Sequence, residues 1–364
     1  MAACNAFDES CMRRALALAV RGLSTTDPNP RVGCVIALGE EVIGEGWHRR
    51  AGEPHAEVLA LMAAGARARG ATAYVTLEPC SHFGRTPPCA DALIAAGIAR
   101  VVAATQDPDP RVDGRGSEKL RAANIQVDTG LLAREAEALN PGFFRRNRTG
   151  RPWIRLKLAM TLDGRTALPD GAGKWITGED ARGDVQRWRA RSSVIVTGVG
   201  TVLADDPRLD VRIAPDEGEA RQPLRVVLDS RGRTPARARI LAPPGECWLC
   251  IGRGQTRPAA TTSTAVHELP LAGSGVDLTA LLSLLTERGV NEVWVESGPR
   301  LAGAFISQGL VDELVLYIAP RMLGPDARPL VQIPSIGRVD DGPRWRYTDL
   351  QHFGEDLRII AVPR

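Results

Sequence analysis

The sequence predicts two α/β domains in one chain, and three observations support this fold class. The chain has 364 residues, and at roughly 150 residues per domain this length suggests two domains. Apolar strand-like segments alternate with helix-like segments, a pattern typical of largely parallel sheets covered by helices. A basic stretch with Gly and Pro, RRNRTGRP at 145–152, interrupts this alternation. We therefore expect residues 1–147 and 148–364 to form separate domains.

The first domain is predicted to contain both kinds of element from its start. Apolar periodicity predicts helices over 8–22, 55–68 and 131–146, and another helix that begins near Cys89. Strands are predicted at 32–37 and 42–47, which form a hairpin, and at 72–77 and 100–105, with a helix–strand pair over 117–129.

The second domain repeats the alternation with different spacing. Strands are predicted at 153–160, 193–197, 224–229, 246–251, 292–296, 312–318 and 357–362. Helices are predicted at 179–192, 277–288 and 299–308.

Composition and charge exclude several classes of protein. Hydrophobic residues make up 44% and charged residues 24%, which are ordinary values for a globular protein. No apolar run is long enough to span a membrane, and the charged N-terminal segment does not resemble a signal peptide, so we expect a cytoplasmic protein with no membrane partner. Residues 1–147 carry 17 basic and 17 acidic side chains, a balance that argues against nucleic acid as a partner.

The seven cysteines indicate metal or catalytic chemistry rather than a disulfide framework. Their number is odd and the chain is long, without a recognisable secretory signal. Cys247 and Cys250 form a C-x-x-C pair, which could be a redox pair or half of a zinc site. They lie in the strand-like run CWLCIG, where residues three apart point to opposite faces, so we interpret them as buried, unpaired thiols.

Four residues of the first domain form a pattern typical of a catalytic zinc site. His55 and Glu57 open a predicted helix, Cys80 follows a predicted strand, and Cys89 opens the next helix. One imidazole and two thiolates leave the fourth position of a tetrahedral zinc open, as catalytic sites require. Glu57 lies in the first helical turn, close enough to move protons between the attacking water and a leaving amine. The sequence therefore predicts His55, Cys80 and Cys89 as zinc ligands and Glu57 as the catalytic acid–base.

The spacing of the two cysteines differs from the general zinc-deaminase pattern. That pattern is H-x-E followed by P-C-x-x-C, whereas eight residues, SHFGRTPP, separate Cys80 from Cys89 here. The alternative interpretation is that both cysteines are merely buried thiols and that His55 is an ordinary residue at a helix start.

The second domain gives weaker signals from its residues alone. Alternation along the strand at 153–160 places Arg155, Lys157 and Ala159 on one face. Glycine-containing turns at 197–201 and 296–303 follow predicted strands, and such turns can bind phosphate through backbone N–H groups. Neither turn is a G-x-G-x-x-G fingerprint, so a Rossmann dinucleotide domain is not predicted.

Longer strings resemble one enzyme family over essentially the whole chain. EPCSHFGRTPPC at 78–89, NPRVG at 29–33, GWH at 46–48 and AGEPHAE at 51–57 resemble the bacterial bifunctional deaminase–reductase of riboflavin biosynthesis. KLAMTLDGRTA, KWITG, TVLADDPRLDVR and ESGPRLAGAF resemble its reductase half. The resemblance implies an N-terminal cytidine-deaminase-like three-layer α/β/α domain and a C-terminal dihydrofolate-reductase-like α/β domain. It also implies Zn²⁺ and NADPH as cofactors, a phosphoribosylated diaminopyrimidinone as the small-molecule substrate, and a homo-oligomer.

The same resemblance implies the remaining site residues. It places Asn29, His48, His82, Arg85, Asp107 and Asp109 at the pyrimidine or its ribose phosphate. It implies reductase substrate contacts by Arg189, Asp205, Leu209, Arg212 and Glu296. It implies NADPH contacts by Ala159, Trp175, Thr201, Ser230, Gly298, Pro299, Arg300, Leu301, Ala302, Gly303 and Ala304. We expect Lys157 to position or polarise the sugar hydroxyls, and Glu296 and Asp205 to manage protons.

Two other function classes fit the sequence less well. A nucleic-acid or nucleoside zinc deaminase with an accessory domain conflicts with the even charge of the first domain and with the reductase-like strings of the second. A non-catalytic, zinc-stabilised binding protein conflicts with Glu57 and with the open position of a three-ligand site.

Overall fold

The computed structural model describes residues 4–83, 87–170, 175–213, 221–242, 244–257 and 263–364. The chain divides into two compact units, Met1–Gly150 and Arg151–Arg364. No helix within these described ranges is both long enough and apolar enough to cross a membrane.

Unit 1 alternates helices and strands. Its helices are α1 (Ala6–Val20), α2 (Ala56–Ala64), α3 (Cys89–Ala96), α4 (Arg115–Ala122), α5 (Ala133–Leu139) and α6 (Pro141–Thr149). Its strands are β1 (Gly33–Leu38), β2 (Glu41–Trp47), β3 (Thr72–Val75), β4 (Arg100–Ala103) and β5 (Gln126–Thr129).

A sheet with the strand order β2-β1-β3-β4-β5 forms the middle layer of unit 1. β1 pairs antiparallel with β2 and β3, whereas β3, β4 and β5 are parallel. Residues of α1 and α5 pack on one face of the sheet, and residues of α2, α3 and α4 pack on the other. This is the three-layer α/β/α arrangement expected from the sequence.

Glycines bring the helices of unit 1 close to the sheet. A Cβ on Gly33 would lie 1.9 Å from the carbonyl oxygen of Ala15 in α1. A Cβ on Gly46 would lie 2.4 Å from the carbonyl oxygen of Ala56, at the start of α2. Any side chain at Gly46 would therefore push away the end of α2 that follows His55.

Unit 2 contains more strands than unit 1. Its strands are β6 (Trp153–Thr161), β7 (Arg165–Ala167), β8 (Val194–Gly198), β9 (Leu224–Asp229), β10 (Cys247–Gly252), β11 (Thr264–Leu269), β12 (Leu271–Ala272), β13 (Gly275–Val276), β14 (Glu292–Glu296), β15 (Glu313–Ala319), β16 (Arg328–Pro329), β17 (Trp345–Phe353) and β18 (Asp356–Pro363). Its helices are α7 (Glu179–Arg191), α8 (Val199–Asp205), α9 (Leu278–Glu287) and α10 (Pro299–Ser307).

The large sheet of unit 2 has the order β11-β10-β9-β8-β14-β6-β15-β18-β17 across the part of the chain that is described. The strands from β11 to β15 run parallel, and β18 and β17 are added in antiparallel orientation. Residues of α9 and α10 pack on one face and residues of α7 on the other. Cys247 and Cys250 lie in the two different clusters, which confirms that they point to opposite faces.

One sequence prediction about secondary structure was wrong, and two strands of the large sheet, β11 and β17, were not predicted. The helix predicted over 131–146 is broken at Asn140–Pro141 into α5 and α6, because proline at the first position of α6 cannot continue the preceding hydrogen-bond ladder. β17 was not predicted, because seven of its nine residues are exposed and apolar periodicity is therefore absent.

Candidate active sites

Three potential metal ligands of unit 1 meet at helix starts and at the end of a strand. His55 is the residue before α2, Cys89 is the first residue of α3, and Cys80 follows β3. The Nδ1 atom of His55 lies 3.1 Å from Cys89 Sγ and 3.6 Å from Cys80 Sγ. The donor atoms of the three residues all lie within 4.8 Å of one another. The backbone N–H of Cys89 also donates to Cys80 Sγ, at 3.3 Å.

This donor set fits zinc. Ligand bonds of about 2.0–2.3 Å around a tetrahedral zinc place donor atoms roughly 3.5 Å apart. The 3.1 Å and 3.6 Å that separate His55 Nδ1 from the two sulfurs are close to this spacing. Hydrogen bonding from Cys89 and His55 lowers the pKa of Cys80, whereas the pairing with Cys80 raises the pKa of Cys89. Two adjacent sulfurs do not ionise together without a cation, so the cluster has the chemistry of a metal site.

Glu57 is enclosed beside this cluster. It lies in the first turn of α2, is 3% exposed, and its carboxyl group lies next to the Cys89 thiol. Burial raises the pKa of Glu57 to about 7. The residue therefore lies against the predicted ligands in the position expected for a group that exchanges protons in a dry site.

Asn29 and His48 lie next to the metal ligands. The Nδ2 atom of Asn29 is 3.0 Å from His48 Nε2, and His48 Nδ1 is 3.2 Å from the carbonyl oxygen of Pro54. The ring of His48 packs edge-on against that of His55, with centroids 5.2 Å apart. Burial lowers the pKa of His48 to about 4, so the ring is neutral at neutral pH. His48 Nδ1 then donates to Pro54 and Nε2 accepts from Asn29, which fixes the orientation of the amide.

The other residues predicted at this site have different surroundings. Asp107 is 6% exposed, and burial raises its pKa to about 7. The carboxylate of Asp109 accepts hydrogen bonds from Arg111 Nε and Nη2, and this pairing lowers the pKa of Asp109. The Nδ1 atom of His82 is buried with no hydrogen-bond partner among the described residues, so it is available to a ligand. Arg85 lies outside the described residues.

A second polar centre occupies one face of the sheet in unit 2. Glu296, the last residue of β14, accepts from Arg189 Nε at 2.5 Å, Arg189 Nη2 at 2.9 Å and Trp294 Nε1 at 2.8 Å. Lys157 is directly opposite Glu296 in the register of β6 and β14. The guanidinium of Arg189 lowers the pKa of Glu296 to about 2 despite its burial, whereas burial lowers the pKa of Lys157.

Some of the residues predicted to contact the reductase substrate lie at this centre. Arg189 Nη1 donates to the carbonyl oxygen of Asp210 at 3.3 Å, next to the buried Leu209. The guanidinium of Arg212 binds the Asp210 carboxylate, and its backbone N–H donates to Gln186 of α7 at 2.9 Å. Leu209, Arg212, Arg189 and Glu296 are thus connected, whereas Asp205 is exposed at the end of α8.

The predicted cofactor residues occupy the ends of parallel strands. Thr201 is in α8, which follows β8, and Gly298 caps α10, which follows β14 and begins at Pro299. A Cβ on Gly198 would lie 3.4 Å from the side chain of Leu301, so the turns after β8 and β14 are adjacent. The other members of the 298–304 set, Arg300, Ala302, Gly303 and Ala304, belong to α10.

The other three predicted cofactor contacts lie on separate elements. Ala159 is half-buried on β6, and Ser230 follows β9, where its hydroxyl donates to Ser274 O at 3.1 Å. Trp175 is 59% exposed, with the Arg182 guanidinium 5.1 Å from its ring centre. Its exposure is inconsistent with a role in core packing.

Sequence reasoning missed three polar side chains that support these centres. Trp294 binds Glu296 and stacks on Trp188, with ring centroids 5.6 Å apart. The hydroxyl of Tyr317 donates to Asp184 at 2.7 Å, and Lys157 Nζ lies 6.0 Å from the Tyr317 ring centre. Glu78, two residues before Cys80, is buried and accepts three backbone hydrogen bonds. Strand alternation could have placed Trp294 beside Glu296, but the other two depend on long-range contacts.

Two family models match separate parts of the chain. Residues 5–105 match the family model described as the cytidine and deoxycytidylate deaminase zinc-binding region, and residues 152–359 match the RibD C-terminal domain. Riboflavin biosynthesis protein RibD of Escherichia coli is 51% identical, covering 98% of this chain and 99% of the relative. The corresponding protein of Haemophilus influenzae is 45% identical over 97% of this chain and 96% of its own.

Solved structures of two related proteins are similar to nearly the whole chain. Acinetobacter baumannii RibD superimposes with a TM-score of 0.91 at 42% identity, covering 98% of this chain and 99% of the other. A diaminohydroxyphosphoribosylaminopyrimidine deaminase/5-amino-6-(5-phosphoribosylamino)uracil reductase from Thermotoga maritima gives 0.87 at 31% identity, with the same coverage. The chain therefore belongs to the RibD family of bifunctional deaminase–reductases of riboflavin biosynthesis, with a zinc-binding deaminase region ahead of the reductase domain.

Proposed function

We propose that the two units act in sequence on one ribotide. Residues 1–147 deaminate 2,5-diamino-6-(5-phosphoribosylamino)pyrimidin-4-one, and residues 148–364 then reduce the ribosyl group of the product to ribityl phosphate. The Thermotoga relative is named for these two activities. The observation that carries the first step is the meeting of His55, Cys80 and Cys89 beside the buried Glu57.

In the deaminase, His55, Cys80 and Cys89 would hold a zinc ion, which supplies Lewis-acid activation of water. A carboxylate oxygen of Glu57 takes a proton from the water and returns it to the leaving amine, so that one water enters and one ammonia leaves. Asn29 and His48 orient the pyrimidine through a fixed amide and a neutral ring. Asp107, Asp109, His82 and Arg85 complete the ribotide contacts.

In the reductase, the ribose ring opens to an imine-like electrophile, and reduction of that carbon gives the ribityl chain. Bound NADPH would supply the hydride for this reduction, and solvent the proton. The turns after β8 and β14, together with Ala159, Trp175 and Ser230, bind this cofactor. Arg189, Asp205, Leu209, Arg212 and Glu296 bind the ribotide, and Lys157 positions its sugar hydroxyls. The low pKa of Glu296 supports a role as a fixed anion rather than as a proton donor.

The remaining properties of the protein follow from its surface and composition. The balanced charge of residues 1–147 supports a small-molecule substrate and no nucleic-acid partner. The nine-residue β17 lies at the edge of its sheet and exposes Tyr347 (69%) and Leu350 (58%). An exposed strand edge of this length can pair with another chain, which supports a homo-oligomer. We place the protein in the cytoplasm.

A two-stage assay tests the order of the reactions. Zinc-loaded protein is given the diaminopyrimidinone ribotide, first without NADPH and then with it. Ammonia is expected in the first stage, and NADPH oxidation only after deamination. NADPH oxidation with no ammonia release would contradict the proposed order.

The variant Glu57→Gln separates metal binding from proton transfer. It is expected to retain one zinc per chain, release no ammonia and still reduce the deaminated ribotide. Glu9→Gln in α1, a surface carboxylate paired only with Arg13 one turn further along the helix, is the matched control and should behave as wild type. Normal ammonia release by Glu57→Gln would remove Glu57 from the mechanism.

A further inference from the structure

A buried carboxylate connects the zinc-ligand turn to a second segment of unit 1. Glu78 is 3% exposed and lies between β3 and Cys80. We infer that Glu78 is a positioning residue for the deaminase, which sets the place of Asp107 relative to the zinc ligands. This inference rests on the proposed ribotide contact of Asp107.

Both oxygens of Glu78 are used in holding residues 107–117. Oε2 accepts from the backbone N–H of Asp107 at 3.2 Å and of Gly114 at 3.0 Å. Oε1 accepts from the backbone N–H of Ser117 at 2.9 Å. Ser117 lies in the first turn of α4, where N–H groups have no partner within the helix. A single side chain therefore ties together the start of this segment and the helix that ends it.

Backbone contacts hold the same two segments together. The N–H of Glu78 donates to the carbonyl oxygen of Thr105 at 3.0 Å. A Cβ on Gly116 would lie 1.9 Å from the carbonyl oxygen of Pro79, so α4 approaches the ligand turn as closely as glycine permits. Cys80 follows Pro79 directly, and its carbonyl oxygen accepts from Ala90 N–H at the start of α3. The position of Asp107 is thus coupled to the turn that carries one zinc ligand.

The chemistry of the three contacts requires a carboxylate. All three partners are N–H donors, and an ionised carboxylate is an acceptor at both oxygens. A glutamine side chain would retain one acceptor and turn an NH₂ group toward at least one backbone N–H. That buried backbone N–H would have no acceptor. The segment carrying Asp107 would then shift until the N–H found another hydrogen-bond partner.

Glu78 does not act as a metal ligand in this arrangement. Across the described residues, the only group of side chains with metal-binding geometry is His55, Cys80 and Cys89. Replacing Glu78 should therefore change ribotide binding and leave the metal in place.

A double-mutant cycle tests the inference in the full-length, zinc-loaded enzyme. Glu78→Gln is expected to raise the KM of the deaminase for the ribotide by about tenfold or more, with kcat changed less than about threefold. Asp107→Asn is expected to raise KM as well. Because Glu78 acts through Asp107, the double variant should be no worse than Asp107→Asn alone. Zinc content and reduction of the deaminated ribotide should remain at wild-type values.

Additive effects of the two changes, or an unchanged KM in Glu78→Gln, would overturn the inference. Glu118→Gln, an exposed change on the same helix, is the control and should not alter KM. If Glu78→Gln does not fold, Glu78→Asp replaces it. That variant keeps the charge but is one methylene too short to reach all three amides, and it must show the same KM defect. Absence of ammonia release by the wild type would instead contradict the proposed function itself.

Discussion

The ion pair between Glu296 and Arg189 allows a quantitative prediction of the free energy of unfolding. Replacing Glu296 by glutamine removes a carboxylate whose pKa falls from 4.5 to about 2 in the folded chain. At about 1.4 kcal/mol per pKa unit, this pairing contributes roughly 3 kcal/mol to the free energy of unfolding at pH 7. Glu296→Gln should therefore lower that free energy by about 3 kcal/mol or more, since Arg189 also loses its buried partner.

The contribution of Glu296 to the free energy of unfolding should decrease at acid pH. The pKa of Glu296 is depressed by folding, so its stabilisation is complete above pH 4.5 and is lost as the pH falls toward 2. The difference between wild type and Glu296→Gln should shrink by about 2 kcal/mol between pH 7 and pH 3.

Urea unfolding followed by tryptophan fluorescence measures this difference. Six of the seven tryptophans belong to unit 2, so the signal reports mainly on that unit. The exposed Glu287→Gln at the end of α9 is the control and should show no difference at any pH. A destabilisation of Glu296→Gln that is equal at pH 7 and pH 3 would show that the ionised form of Glu296 does not stabilise the folded chain.

Three further predictions concern single side chains. Lys157→Met should abolish NADPH oxidation and leave ammonia release intact, because Lys157 lies opposite Glu296 in unit 2. Trp294→Phe should lower the reductase kcat/KM about tenfold, because it removes the N–H that holds the Glu296 carboxylate. Gly46→Ala should reduce both stability, by about 1–3 kcal/mol, and zinc retention, because its methyl group would meet the backbone at the start of α2. Coupled spectrophotometric assays, calorimetry and metal analysis are the respective measurements.

Each of these three predictions has a matched control. Lys119→Met changes a lysine paired with Asp91 in unit 1, and both activities should persist. Trp345→Phe should leave the reductase unchanged, because Trp345 lies on the edge strand β17. The methyl group added by Gly183→Ala would have no neighbouring atom within 4 Å, so this variant should not reduce stability. Loss of reductase activity in Lys119→Met, or an unaffected Gly46→Ala, would contradict the corresponding argument.

The zinc cluster could be predicted because its residues mark element boundaries. His55 and Cys89 stand at the starts of apolar helices, and Cys80 follows a short buried strand, so local patterns alone place them. Alternation along β6 places Lys157 on one face of its strand, but its position opposite Glu296 depends on the pairing of β6 with β14, which no local pattern predicts. The family resemblance then supplied the partners that local patterns leave open.

The connections between distant segments could not be predicted. Glu78 accepts hydrogen bonds from three backbone N–H groups that lie 29 to 39 residues further along the chain. No local sequence pattern predicts these contacts. The pairing of Asp109 with Arg111 is local, but it depends on how the loop turns after β4, which apolar periodicity does not predict. The break at Asn140–Pro141 was visible in the sequence, since proline seldom continues a helix, and should have limited the predicted helix.

X-ray absorption at the zinc edge of the purified protein identifies the atoms that bind the metal. We expect one zinc per chain with two sulfur ligands at about 2.3 Å and one imidazole nitrogen at about 2.0–2.1 Å, the fourth position being filled by a light atom. The sulfur count should fall to one in Cys80→Ser and stay at two in Cys4→Ser. Four sulfur ligands, or a folded and active protein without zinc, would contradict this expectation.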